Sequence, residues 1–142
     1  MDPTFVGLIV DSSVIISGER RGHSVQQILE QLYIVQSAKD LGLSVVTIVE
    51  LTHGIYRAKD PQIRHRRQAF VDELARVMLV YPITLRTARL AGQIQGEQAD
   101  RGVNIAFEDL LIAATALQLD YGVATSNIRH FEVIPGLSVV KL

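Results

Sequence analysis

Short apolar runs alternate along this chain with longer stretches whose apolar residues recur at helical spacing, which predicts an α/β fold: a three-layer α/β/α arrangement around a central parallel sheet of about five strands. Three observations carry that prediction. Residues 6–10, 43–47, 77–80, 123–125 and 137–141 are short, apolar and rich in β-branched side chains. Amphipathic stretches separate them, as parallel strands require of their crossovers. At 142 residues with 48% hydrophobic composition, the chain suits one domain, 1–142, with a sizeable core.

Taken in order, the first strand is stopped by Asp11-Ser12-Ser13. Ser24, with Gln27 three residues on, forms a capping box ahead of Val25, Ile28, Leu29, Leu32 and Val35, and Leu41-Gly42 is expected to close that helix. After the second strand, Thr47 and Glu50 stand in the T-x-x-E relation of another capping box, opening a helix through Leu51, Ile55 and Ala58. Asp60-Pro61 caps the next helix, whose apolar stripe is Ile63, Phe70, Leu74 and Val77. The third strand ends at Tyr81-Pro82. Thr84 caps a helix carrying Ala88, Leu90, Ala91 and Ile94 that Arg101-Gly102 closes. From Phe107 to Leu119 nearly every residue is apolar, so this helix is buried on more than one side.

Fifteen acidic residues against 14 basic leave a net charge of −1, no global footprint for a nucleic acid, so any polyanion must be held locally. Without cysteine there is no disulfide, thiolate metal site or cysteine nucleophile. The N-terminal apolar run, about six residues long, is too short for a signal segment or a membrane span. A cytoplasmic protein without membrane attachment is the expectation.

Three acids stand out. Asp11 ends the first apolar run, Glu50 follows the second, and Asp109 opens Leu110-Leu111-Ile112-Ala113-Ala114. In parallel α/β sheets, ligands bind at the carboxyl ends of strands. There these carboxylates would converge. Two unit charges about 4 Å apart repel by roughly 4 kcal/mol at an effective dielectric of ~20, so such a cluster calls for a cation. Simpler roles exist for each: Asp11 as a helix cap, Glu50 as the capping-box acid, and Asp109 with Glu108 as favourable charges in a first helical turn. Asp109 nevertheless shares its helix face with Ile112, Ala113 and Ala116, where an uncompensated carboxylate is costly.

Thr125-Ser126-Asn127 places two hydroxyls and an amide at the end of the fourth strand, where an ordinary turn is the plainer reading. Arg64-His65-Arg66-Arg67 cannot share one helix face and reads as solvated surface, with contact to an RNA backbone the minority reading. His53 lies three residues after Glu50, while His23, His65 and His130 show no metal-ligand spacing. The four tyrosines are dispersed, so no stacking platform is indicated. Phosphate-binding glycine loops and the G-x-S-x-G elbow are absent, and Asp11-Ser12-Ser13 lacks the second aspartate of an aspartyl-phosphate phosphatase.

The segments 8–15 (Leu-Ile-Val-Asp-Ser-Ser-Val-Ile), 47–51 (Thr-Ile-Val-Glu-Leu), 108–117 (Glu-Asp-Leu-Leu-Ile-Ala-Ala-Thr-Ala-Leu) and 123–131 (Val-Ala-Thr-Ser-Asn-Ile-Arg-His-Phe) occur in an order that resembles the PIN-domain ribonucleases, particularly the VapC-type toxins of toxin–antitoxin pairs. The resemblance spans nearly the whole chain. It implies a PIN-like fold, Mg²⁺- or Mn²⁺-dependent endoribonuclease activity, and Asp11, Glu50 and Asp109 as metal-binding and catalytic acids. Asn127 and His130 occupy the places where the family often carries a fourth acid, so one firm metal is expected, and Asn127 joins the candidate catalytic set. Ser13, Thr125 and Ser126 are the candidate substrate-binding hydroxyls, with Ser13 also able to hold Asp11. The implied partners are an RNA substrate, a cognate antitoxin protein and a second copy in a homodimer. Ile28, Tyr33 and Val35 are expected to be exposed contact residues.

Two other readings compete with the nuclease. A catalytically silent PIN domain acting as an RNA-binding or protein-interaction module is motivated by the missing fourth acid. A small Mg²⁺-dependent phosphatase on a similar sheet is the other.

Overall fold

The computed structural model describes residues 6–36 and 40–142; the side chains of Val35 and Gln36 lie outside that description, and with them the expectation for Val35. The chain runs β1 (Gly7–Val10), α1 (Ser12–Arg20), α2 (Val25–Gln36), β2 (Asp40–Ser44), α3 (Val45–Arg57), α4 (Pro61–Val77), β3 (Leu79–Tyr81), α5 (Leu85–Asp100), α6 (Phe107–Gln118), β4 (Gly122–Thr125), α7 (Ile128–Phe131) and β5 (Val139–Lys141). All five strands pair in parallel, in the order β3-β2-β1-β4-β5. The predicted α/β/α architecture and its strand number are found.

Successive strand residues point to opposite faces, and here they feed two cores. Leu8 and Val10 pack with α1, α2, α3 and α4, whereas Ile9 between them packs with α5, α6 and α7. Ala124 and Val123 divide in the same way. Both faces of the sheet are therefore covered, which is why its strands read as continuous apolar runs rather than alternating ones.

Local signals act where they were read. The Ser24 hydroxyl accepts from the Gln27 N–H at 3.2 Å while Gln27 Oε1 accepts from the Ser24 N–H at 2.8 Å. Asp60 accepts from the Gln62 N–H, with Pro61 at the first helical position. Thr84 forms a capping box with Thr87. Each satisfies N–H groups that a helix start leaves without partners.

Several expectations fail: the second strand is Asp40–Ser44 rather than 43–47, and Val77, read as part of an apolar stripe, is exposed. Thr47 and Glu50 do not form a capping box: Ser44 is the cap, its hydroxyl accepting from the Val46 N–H at 3.2 Å, and α3 begins at Val45. The β-branched run from Val45 to Val49 has strand propensity, but packing overrides it. Leu41-Gly42 closes no helix; both lie in β2. At Gly42 a Cβ would stand 2.5 Å from Cε2 of Tyr81, so the ring takes the space of a side chain. Ile28 is buried, 2% exposed, because its side chain fills the space a Cβ at Gly18 would occupy. Tyr33 is exposed, as expected. Among the described residues no helix is long and apolar enough to cross a membrane.

Candidate active site

Strand order reverses beside β1, because the chain steps from β1 outward to β2 and β3 and then returns to place β4 on β1's other side. Such a switch point opens a crevice beyond the strands' carboxyl ends. Asp11 follows β1 there and Thr125 ends β4 there. The Asp11 N–H donates to the Ala124 carbonyl at 2.9 Å, fastening the two strand ends together.

Asp11 occupies the N-cap position of α1, yet its side chain makes no capping bond. The carboxylate, on a residue only 5% exposed, turns instead toward β4. Its Oδ2 accepts from Ser13 Oγ at 2.7 Å and from the fully buried Thr125 Oγ1 at 2.9 Å. Both hydroxyls address one oxygen. Oδ1 has no hydrogen-bond partner among the described residues and is left for another group. Ser13 in turn accepts from the Ser126 N–H at 3.0 Å, and Thr125 from the Asn127 N–H at 2.9 Å. The Ser13 and Thr125 hydroxyls, each backed by a backbone N–H, thus fix the orientation of Asp11, while Ser126 contributes its backbone amide and not its hydroxyl.

Glu50 lies in the second turn of α3 and Asp109 in the first turn of α6. These helices belong to opposite layers but touch each other. Burial pushes the Glu50 carboxyl up to about 7, with the charge of Asp11 the next cause and those of Asp109 and Glu108 smaller ones, while the Ser12 hydroxyl opposes the rise. Asp109 is also raised, by burial first and then by Asp11; His130 opposes this, its Nδ1 lying 3.2 Å from Asp109 Oδ2. Glu50 and Asp109 therefore both feel the charge of Asp11, and Glu108 adds to it at each.

Glu50 Oε1 is buried without a hydrogen-bond partner, as is the Thr47 hydroxyl three residues earlier on the same helix face. Burying a polar oxygen unpaired is unfavourable, so both places suit a polar ligand. Among the described residues no three acidic or histidine side chains stand close enough to enclose an ion by themselves. The donor set fits a hard cation held by few carboxylate oxygens that keeps several of its waters, the habit of Mg²⁺, rather than a closed protein cage.

Other candidates are placed less centrally. Asn127 is exposed at the start of α7 and its side chain caps nothing. Ser126 offers the cluster its backbone amide and also lines a separate cavity with Val14, Arg21 and His23. His53 is exposed. In the basic run, Arg64 stacks on Tyr56 and donates to the carbonyls of Ala58 and Tyr56, and Arg67 donates to the Gly54 carbonyl at 2.8 Å. The run is at the surface, as expected, and two of its four residues also tie α4 to the end of α3. Sequence reasoning noticed Ser12, Glu108 and His130 but not what they do: Ser12 opposes the rise at Glu50, Glu108 adds to it, and His130 pairs with Asp109.

Comparison with known proteins agrees with this architecture. The PIN domain family matches residues 8–137. Ribonuclease VapC of Rickettsia bellii is 31% identical over 139 residues, covering 96% of this chain and 97% of the relative. The crystal structure of DNA-bound VapBC from Salmonella typhimurium superposes with a TM-score of 0.80 at 25% identity, covering 95% of this chain and 97% of that one. VapBC-5 from Mycobacterium tuberculosis, a member of the VapBC family of toxin–antitoxin systems, shares the fold with a TM-score of 0.74 at 23% identity, covering 99% and 100%. This chain belongs to the PIN-domain family, among its VapC-type members.

Proposed function

We propose that the protein is an Mg²⁺- or Mn²⁺-dependent endoribonuclease and the toxin of a type II toxin–antitoxin pair. The observation that carries this is the arrangement of Asp11, held by Ser13 and Thr125 at the switch point, facing two acids whose proton affinities its charge raises. Three carboxylates so disposed are mutually repulsive, and a divalent cation resolves the repulsion.

In this reading Asp11 and Asp109 would hold the cation directly, and Glu50 directly or through water. When bound, the cation supplies positive charge to the oxygens of the phosphate under attack and acidity to a water. Glu50, where it would reach the ion through water rather than directly, is placed to accept a proton from the attacking water. Ser13 and Thr125 hold Asp11 in register, and second-sphere hydrogen bonds of this kind orient a ligand. Ser126 and Asn127 meet the scissile phosphate, with the Asn127 amide free to turn toward it. Single-stranded RNA is the preferred substrate, because splayed bases enter a crevice that a duplex cannot.

Ribonuclease VapC and the toxin–antitoxin systems among the structural neighbours support both halves of the proposal. A small antitoxin protein would block the acidic crevice by bringing a basic side chain to the carboxylates, and a second copy completes a homodimer. Purified protein with Mg²⁺ or Mn²⁺ is expected to cut RNA at few sites and to stop when chelator is added. Cutting that continues unchanged in chelator contradicts the proposal.

One observation favours a second reading, the silent module: an amide stands at the fourth position and, among the described residues, no three ligating side chains close on one point. RNA binding that is indifferent to chelator, without cutting, selects it. Phosphate release from small esters without RNA cutting selects the phosphatase.

A further inference from the structure

Beside the acidic crevice, and sharing Glu50 with it, lies a cavity of about 130 Å³ between α1, α3 and α4. Its lining includes Arg20, Arg57 and Arg67 together with Glu19 and Glu50. The arrangement follows from helix geometry. Glu50, Gly54 and Arg57 recur at i, i+4 and i+7 on one face of α3, so the acid and the arginine lie along one line. Arg20 ends the helix that Asp11 begins. Arg67 reaches in from α4, fixed by the Gly54 carbonyl at 2.8 Å and by Glu19 at 3.7 Å.

Arg67 is thus committed to the fold, whereas Arg20 and Arg57 are exposed and make no ion pair or side-chain hydrogen bond among the described residues. Two unpartnered guanidinium groups flank a concavity floored by the buried Leu51 and Val71. Apolar walls beside them strengthen their field. Three arginines against Glu19 and Glu50 leave the lining with one net positive charge in a chain of net charge −1, the sign that a polyanion needs. Small-molecule pockets begin at roughly 300 Å³; this one has room for a phosphate group rather than a nucleobase.

We infer that the cavity lined by Arg20, Arg57 and Arg67 is a subsite for a second phosphate of the RNA, flanking the one that the acidic crevice receives. This rests on the nuclease reading above. The guanidinium fork matches phosphate oxygens bidentately, and Glu50, bordering both spaces, marks where the backbone passes from one to the other. The subsite fixes the register of the strand over the acids and contributes affinity without reading bases.

The test uses fluorescein-labelled single-stranded RNA and the Asp11→Asn chain, in which RNA is held but not cut. Adding Arg20→Gln and Arg57→Gln together is expected to weaken binding at least tenfold and to make the fall of log K with log salt shallower, by about 0.7 for each phosphate that the protein no longer neutralises. Arg57→Lys keeps the charge and loses the fork, so it should restore the salt slope and only part of the affinity. Unchanged affinity and slope in the double variant overturn the subsite, as does an otherwise unmutated double variant that cuts with the parent's KM and salt dependence. Loss of copurifying antitoxin with RNA binding intact assigns the arginines to an acidic protein segment and also overturns it. If the unmutated chain neither binds nor cuts RNA, the nuclease reading falls first and the subsite with it.

Discussion

Asp11→Asn is expected to lower the rate of RNA cutting about 10³-fold, the effect of losing several kcal/mol of charge stabilisation in the transition state, while the protein stays folded. The amide has the shape of the carboxylate, so its oxygen can still accept from Ser13 and Thr125 at the positions now 2.7 and 2.9 Å from Oδ2. What disappears is the charge. Thr125→Val provides the graded control: it leaves the carboxylate and removes one of its two restraints, so a loss of about 10- to 100-fold is expected. Single-turnover cleavage of one labelled RNA, with circular dichroism to verify the fold, measures both. A Thr125→Val chain as inactive as Asp11→Asn contradicts the division of labour between them.

Glu50→Gln should make the metal-free protein more stable at pH 8 and leave it unchanged at pH 4. The sign follows from proton linkage. Burial and the neighbouring acids raise Glu50 from 4.5 to about 7, so the folded state holds this proton more tightly than the unfolded chain does. Below pH 4.5 both states are protonated and the stability is fully present. Between about 4.5 and 7 the unfolded chain releases the proton first, and stability falls as pH rises. Above about 7 the ionised carboxylate carries its whole cost, which glutamine avoids. Discounted for the partial exposure of Glu50, this is about 1 kcal/mol, or roughly 3 °C in Tm. Thermal unfolding in chelator at the two pH values measures it. A gap between parent and variant that does not change with pH would show that burial and repulsion at Glu50 are not what the variant relieves.

These two residues also show which parts of the site a sequence carries. Asp11 was legible because its signal is local: a short apolar strand stopped by an acid, in a fold whose ligands gather at strand ends. The caps at Ser24, Asp60 and Thr84 were legible for the same reason, since each bond spans two or three residues. Glu50 was misplaced within its element. Five consecutive β-branched residues before it resemble a strand, and only the packing of Leu51 and Ile55 against the sheet makes them helical. Its capping-box explanation disappears once Ser44 takes that role, which leaves a half-buried acid with an unpaired oxygen.

Long-range features were legible only through the family resemblance or not at all. Nothing local places β4 beside β1, and that pairing is what brings Thr125 to Asp11 across 114 residues. The burial of Ile28 depends on a glycine in another helix. Arg20, Arg57 and Arg67 meet from three helices and share no motif. His130 has no ligand spacing in the sequence, yet it stands 3.2 Å from Asp109.

The central claim is that Asp11, Glu50 and Asp109 hold one hard divalent ion between them. Isothermal titration of Mn²⁺ into metal-free protein, in parallel with Asp11→Asn and Asp109→Asn, tests it most directly. Saturable binding with one firm site in the parent and its loss in both variants is the predicted result. Absence of binding in the parent, or equal binding in all three chains, contradicts it.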